Sequence, residues 1–161
     1  MQPTLIQAYF QAKYLTFLPG RVVEIRIHHA AEALSTYCQM WQRAAILTAC
    51  NPRSQQLSPE ENSCRMERLL QILQPRYPCS PARSEDDHGE WQEPSVLIWG
   101  MHLEEARAVG RIFGQNAFVF LDASAHPLLI ACEPEFQPLI DACEHTDVPA
   151  AISRSTSRSR F

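Results

Sequence analysis

Three short polar segments hold the residue types best suited to chemistry. The first, NPRS, gathers an amide, a guanidinium and a hydroxyl at Asn51, Arg53 and Ser54, where an apolar run ends and a helix is about to open. A helix N-terminus offers free N–H groups and a dipole that favours an anion, so Arg53 and Ser54 here point to a phosphate or carboxylate. The same turn has a purely structural use: Asn51 and Ser54 can satisfy its backbone while Arg53 is left to solvent. The second segment sets Glu90 and Glu93 about Trp91. A carboxyl beside an apolar ring can have its pKa raised for acid–base work. Glu93 stands at the mouth of an apolar strand, where a charge needs a partner, and Arg53 is the obvious one. Glu90 is expected at a solvated strand entrance. The third segment, Gln115 and Asn116, follows a helix cap and precedes an apolar strand; Asn also suits such a turn because it tolerates the left-handed conformation. Asn51, Arg53, Ser54, Glu93, Gln115 and Asn116 are therefore the candidate ligand-binding residues. No Ser-His-Asp or Cys-His set can be assembled, with His88 in an acidic loop and His102 at a helix start, so no catalytic residue is assigned and the question of a reaction stays open.

The elements that must position these groups are legible from periodicity. Residues 4–12 read as a short helix, then Tyr14–Leu18 and Val22–Ile27 as a hairpin about Pro19-Gly20. Residues 30–41 carry Leu34, Tyr37, Cys38 and Trp41 at the spacing of a buried helical stripe. Residues 44–49 form an apolar run too short for a helix, hence a central strand. The next helix has the clearest start in the chain: Ser58 as cap, Pro59 at the first helical position and Glu61 completing a capping box. Met66, Leu69, Leu70 and Leu73 carry its buried face. Residues 77–83 are expected as an edge strand because Pro78 and Pro81 would interrupt a central ladder, followed by the acidic loop SEDDHG. Residues 94–101 form a second central strand, 103–113 a helix closed by Gly114, and 117–121 and 127–132 a strand pair. A weak helix is placed at 135–143. This alternation predicts an α/β (α+β) fold, a mixed β-sheet with flanking helices, in a single domain over residues 1–145. The Ser/Arg-rich end, 146–161, is expected to be a disordered tail.

Composition excludes several classes. At 161 residues, with 20% charged residues and a net charge of −4, the chain suits one water-exposed domain with no strong field toward nucleic acid or membrane. No apolar run approaches the roughly 20 residues that cross a bilayer, and the first residues lack the pattern of a secretory signal, so a cytoplasmic location is expected. The 6 cysteines form no CxxC pair, and His28 and His29 are adjacent, which would point them apart on a helix. Neither a metal site nor a cofactor is expected, and the thiols are read as reduced. Rossmann and P-loop glycine signatures are missing.

Three segments also carry a family likeness: TACNPRSQ with Asn62 after it, WQEPS at 91–95, and FGQNAFV at 113–119. Together they make the chain resemble the bacterial domain-of-unknown-function family numbered 3293, over residues 8–130. The resemblance implies no activity. Cys50 stands where an aromatic residue is expected in that family, which counts against Cys50 as an essential nucleophile.

If each helix between strands is a right-handed crossover, the NPRS turn, Glu93 and the Gln115-Asn116 turn all reach one end of the sheet, where ligand loops often gather. The expected function is binding of an anionic small molecule or nucleotide in a polar cleft there. The alternative is a noncatalytic interaction module that touches a protein or, weakly, nucleic acid through the basic tail with Arg154, Arg158 and Arg160. A third outcome is that the motifs meet only to hydrogen-bond one another and lock the loops.

Overall fold

A computed structural model describes residues 3–146. The expected tail lies outside the described residues, apart from Thr146 at the end of the last helix. Helix α1 (Pro3–Gln11) leads into the hairpin of β1 (Lys13–Leu18) and β2 (Arg21–Ile25). A 3-10 turn and α2 (Ser35–Trp41) precede β3 (Ala44–Leu47). Then come α3 (Pro59–Leu73), β4 (Cys79–Glu85), β5 (Gln92–Trp99), α4 (Leu103–Ile112), the pair β6 (Ala117–Leu121) and β7 (Pro127–Ala131), and α5 (Gln137–Thr146).

The strands form one seven-stranded sheet in the order β2-β1-β4-β5-β3-β6-β7. Sheet and flanking helices are as expected, but the sheet is not mixed: every neighbouring pair is antiparallel. The reason is that each crossover skips a strand. The segments β3 and β4 do run the same way, yet β5 lies between them; β5 and β6 also agree in direction, with β3 between. The stretch from β3 to β6 thus has the interlocked β-α-β-β-α-β connectivity of a ferredoxin-like split unit, flanked by a hairpin strand on one side and by β7 on the other.

A second correction concerns β4, which is internal, between β1 and β5. Pro81 is tolerated because the β1 ladder ends at Ala82. Beyond that point the Pro81 carbonyl accepts from the Thr16 hydroxyl at 3.3 Å, so the missing N–H interrupts no paired residue of β1.

Apolar alternation in the strands builds a core on each face. One face packs Tyr14, Leu18, Ile25, Leu97, Trp99 and Val119 under α1, α2 and α5. The other packs Leu47, Val96, Ile98 and Phe118 under α3 and α4. Leu69 and Leu73, spaced one turn apart on α3, are both fully buried, each adding about 1.5–3 kcal/mol. The helix expected on residues 30–41 is shorter: Glu32–Leu34 form a 3-10 turn, α2 begins at Ser35, and Trp41 is exposed. Cys38, Cys50, Cys64, Cys79 and Cys132 are free thiols.

Candidate functional site

The sheet is split at one end, and that split makes the site. Strand β5 pairs with β3 only as far as Val96, but with β4 all the way to Gln92. The backbone ladder between Gln92–Pro94 and the chain that leaves β3, Thr48 to Asn51, therefore stops, and side chains bridge the gap instead, Thr48 Oγ1 donating to the Pro94 carbonyl at 2.8 Å. Residues of both segments line a cleft of about 990 Å³ that opens beside this gap. Leu5, Ala8 and Tyr9 of α1 wall it on one side, and Pro59, Asn62 and Met66 of α3 on the other. The loop from Asp86 to Trp91 stands at its rim, and Ala117 and Phe118 of β6 close its floor.

The three motifs of the sequence meet here. Asn51 is at φ 46°, Arg53 at φ 53° and Ser54 at φ 59°, left-handed backbone that costs a residue with a Cβ roughly 1–2 kcal/mol each. Such a turn persists only if its surroundings over-determine it, and they do. Asn51 Nδ2 donates to Glu93 Oε2 at 2.9 Å, while Asn51 Oδ1 accepts from Leu57 N and from Asn62 Nδ2, both at 2.9 Å. Asn62 Oδ1 in turn accepts from Asn51 N at 2.9 Å. From the third motif, Gln115 Nε2 donates to the Cys50 carbonyl at 2.9 Å and Asn116 Nδ2 to Ser54 Oγ at 3.0 Å. Arg65, on α3, ties both loops, donating to the carbonyls of Ala49 and Phe113. Gly114 is required at its position: φ is +70°, and an added Cβ would stand 2.8 Å from Pro52 Cβ.

The capped start of α3 supports the turn and limits its use as an anion site. Ser58 Oγ accepts from Glu61 N at 3.2 Å. Pro59 has no N–H, Asn62 N is bonded to the Ser58 carbonyl at 3.0 Å, and Glu60 and Glu61 occupy the first turn. Little positive potential is left for a phosphate.

Glu93 and Arg53 do not behave as a pair. Arg53 is exposed, is absent from the cleft wall, and forms no ion pair with any described residue. Its left-handed backbone donates to the Gly114 carbonyl at 2.7 Å. Glu93 takes Asn51 as its partner instead and is 9% exposed. Burial pushes its carboxyl above the ordinary range, against the hydrogen bonds of Asn51 and Thr48 that favour the charged form. Burial likewise raises the Cys50 thiol beside it, leaving that sulfur a poor nucleophile.

Of the candidate residues, then, Asn51, Gln115 and Asn116 commit their amides to the loops, Ser54 accepts from Asn116, and Arg53 is off the wall. Asn51, Ser54, Glu93 and Gln115 line the cleft, and Glu93 is the one of them that ionises. Sequence reasoning missed Tyr9, Tyr14, Ser84, Asn62 and Arg65 as parts of the site. Asn62 and Arg65 carry a usable signal, since they lie three apart on one face of a helix whose first turn follows NPRS. Tyr14 and Ser84 carry none without strand register: Tyr14 pairs with Ser84, which pairs with Glu93, so all three share one face. The Tyr14 hydroxyl donates to the Tyr9 carbonyl at 2.9 Å.

No group of His, Cys, Asp and Glu among the described residues could hold a metal ion, and no helix among them is long and apolar enough to cross a membrane. No curated protein and no solved structure matches the chain. One family model does, over a span narrower than residues 8–130 that still runs through the NPRS turn, Asn62, Arg65, Glu93 and the Gln115-Asn116 turn. It is described as a protein of unknown function (DUF3293), and it is this family that the chain resembles over residues 47–118.

Proposed function

We propose that the chain is a small-molecule-binding domain whose ligand lies in the split between β3 and β5, its apolar body against Tyr9, Leu57 and Met66 and its polar head at Glu93. One observation carries this reading: a buried carboxyl lines a cleft of about 990 Å³ with no arginine or lysine among the described lining residues to pair with it. Burying such a group is costly unless it is paired or used, and a largely apolar concavity with a few convergent polar groups is the usual form of a ligand site. The loops around it are held by hydrogen bonds at the expense of left-handed backbone, which fits a site built in advance of its ligand. The anionic character expected of the ligand rested on Arg53 and on the start of α3; the first lies off the wall and the second is capped. The ligand is therefore read as a small organic molecule recognised at a carboxyl.

The test is a thermal-unfolding screen of the chain against a fragment library of neutral, cationic and anionic compounds, phosphorylated metabolites included, run in parallel on Glu93→Gln. A true ligand raises Tm saturably, by mass action on the native state, to an extent equivalent to about 2.7 kcal/mol at a hundred times Kd. The reading predicts at least one fragment whose shift is reduced in Glu93→Gln. Hits indifferent to that substitution would place the site elsewhere, and a library with no saturable hit would count against a ligand site altogether.

A further inference from the structure

We infer that the head group taken by this cleft is an organic cation, a primary ammonium or an amidinium, seated between the Glu93 carboxylate and the Ser84 hydroxyl. The inference rests on the binding reading above and names its ligand class.

Ser84 is the independent observation. It lies directly across the ladder from Glu93, so the two side chains leave the same face of the sheet, with Cβ atoms about 4.5–5.5 Å apart. Ser84 lines the cleft, is 6% exposed, and its hydroxyl makes no hydrogen bond to any described residue. Its oxygen is not enclosed, since among the described residues the fully buried side-chain oxygen without a partner is Ser95 Oγ; the Ser84 hydroxyl faces the open space of the cleft, where a ligand can meet it. An acceptor oxygen and a carboxylate oxygen side by side, facing a cavity, are what an N⁺–H₂ edge requires.

The charges around the cleft agree. Asp86, Asp87, Glu90 and Glu93 line it, with no arginine or lysine among the described lining residues. His88 is the one basic side chain among those lining residues, and basic residues on the surrounding elements are engaged elsewhere: Lys13 with Glu85 at 3.2 Å, Arg26 with Asp87 at 2.8 Å, and Arg65 with the two loop carbonyls. Asp87 is thereby neutralised, and Asp86 accepts from Trp91 N at 3.3 Å; Glu93 has no ion-pair partner among the described residues. Tyr9 and Trp91 add ring surface within the lining, and aromatic faces attract cations as well as apolar groups. An anionic head would meet Glu93 at close range with nothing opposite to offset the repulsion.

Three probes of nearly equal size, titrated calorimetrically into the full chain, test this: phenethylammonium, 2-phenylethanol and phenylacetate. The expected order is the cation about tenfold or more tighter than the alcohol, one charge-assisted contact being worth at least that factor, with the anion weakest. Glu93→Gln should remove the cation's advantage and leave the alcohol within about twofold, while Ser84→Ala weakens the cation by about threefold or more. Should Glu93→Gln fail to fold, the three wild-type affinities decide the matter. Equal binding of cation and alcohol, or a cation advantage that survives Glu93→Gln, overturns the cation inference but leaves the site standing. Tightest binding by phenylacetate overturns it in favour of an anion site. No saturable binding by any probe removes both the inference and the reading on which it rests.

Discussion

Replacing Asn51 by alanine is the most informative perturbation of the loop lock. The side chain makes three hydrogen bonds, one to the Glu93 carboxyl and two accepted from Leu57 N and Asn62 Nδ2, all at 2.9 Å. A neutral hydrogen bond contributes about 1 kcal/mol net and one to a charged group about 2 kcal/mol, so the three together are worth about 4 kcal/mol. Water reaching the cleft side of the turn reduces this to about 3 kcal/mol, and alanine held at the native φ of 46° restores about 1 kcal/mol of cost. The expected loss is about 4 kcal/mol, a large part of the 5–15 kcal/mol that holds a typical domain together. Equilibrium urea unfolding reads this directly: with a slope of about 2 kcal/mol per molar, the midpoint falls by about 2 M. Asn51→Gly separates the two contributions, because glycine loses the same hydrogen bonds but accepts the left-handed backbone freely; it should be less destabilising than Asn51→Ala. Losses below about 1 kcal/mol in both variants would refute the lock. Equal losses in both would refute the strain.

Three further outcomes follow from the same geometry. Ser58→Ala removes the cap of α3 and should cost roughly 1 kcal/mol in urea unfolding; an unchanged midpoint and slope would show the helix start to be insensitive to its cap. Gly114→Ala, at φ +70° and 2.8 Å from Pro52 Cβ, should cost about 2 kcal/mol or more by forcing the NPRS turn away, and a neutral result would mean that the two loops are not closely packed. Burial raises the Glu93 carboxyl above its ordinary 4.5, so the native state holds that proton more tightly than the unfolded chain does. The corresponding stability is present below the unfolded value and lost as pH rises through the folded one. Urea midpoints measured from about pH 4.5 to about pH 7.5 should therefore decline for the wild type relative to Glu93→Gln; parallel profiles would mean that Glu93 is solvated.

Much of this fold was legible because local signals agreed with one another. Ser58, Pro59 and Glu61 marked the start of α3, and the Pro19-Gly20 turn marked the first hairpin. The meeting of three distant motifs at one sheet end was also legible, since a helix between two strands forces them to point the same way whether or not they are neighbours. Adjacency was not: nothing local to residues 77–85 says that β5 folds back between β4 and β3, and the prolines there argued for an edge. Within the site, the three motifs do meet, and the hydrogen bonds of their amides run to the loops and to Glu93, the loop-locking arrangement that stood beside the ligand-binding one. Asn51, Gln115 and Asn116 have enough nearby backbone and side-chain partners to be consumed by the loops, a matter of distances that no spacing encodes. Arg53 points away because its backbone is turned to reach Gly114, 61 residues on. Ser84 became visible only through register, as the residue facing Glu93 across a strand pair that the sequence did not predict.

The claim that matters most is that the split between β3 and β5 is where a ligand binds, and backbone amide NMR tests it most directly. On titrating the tightest-binding fragment into the isotope-labelled chain, saturable shifts are expected at Thr48, Cys50, Asn51, Ser84 and Glu93, with Ile72 and Ile112 on the far side of α3 and α4 unmoved. Shifts centred on Ile72 and Ile112, with the amides about Glu93 unchanged at saturation, would contradict it.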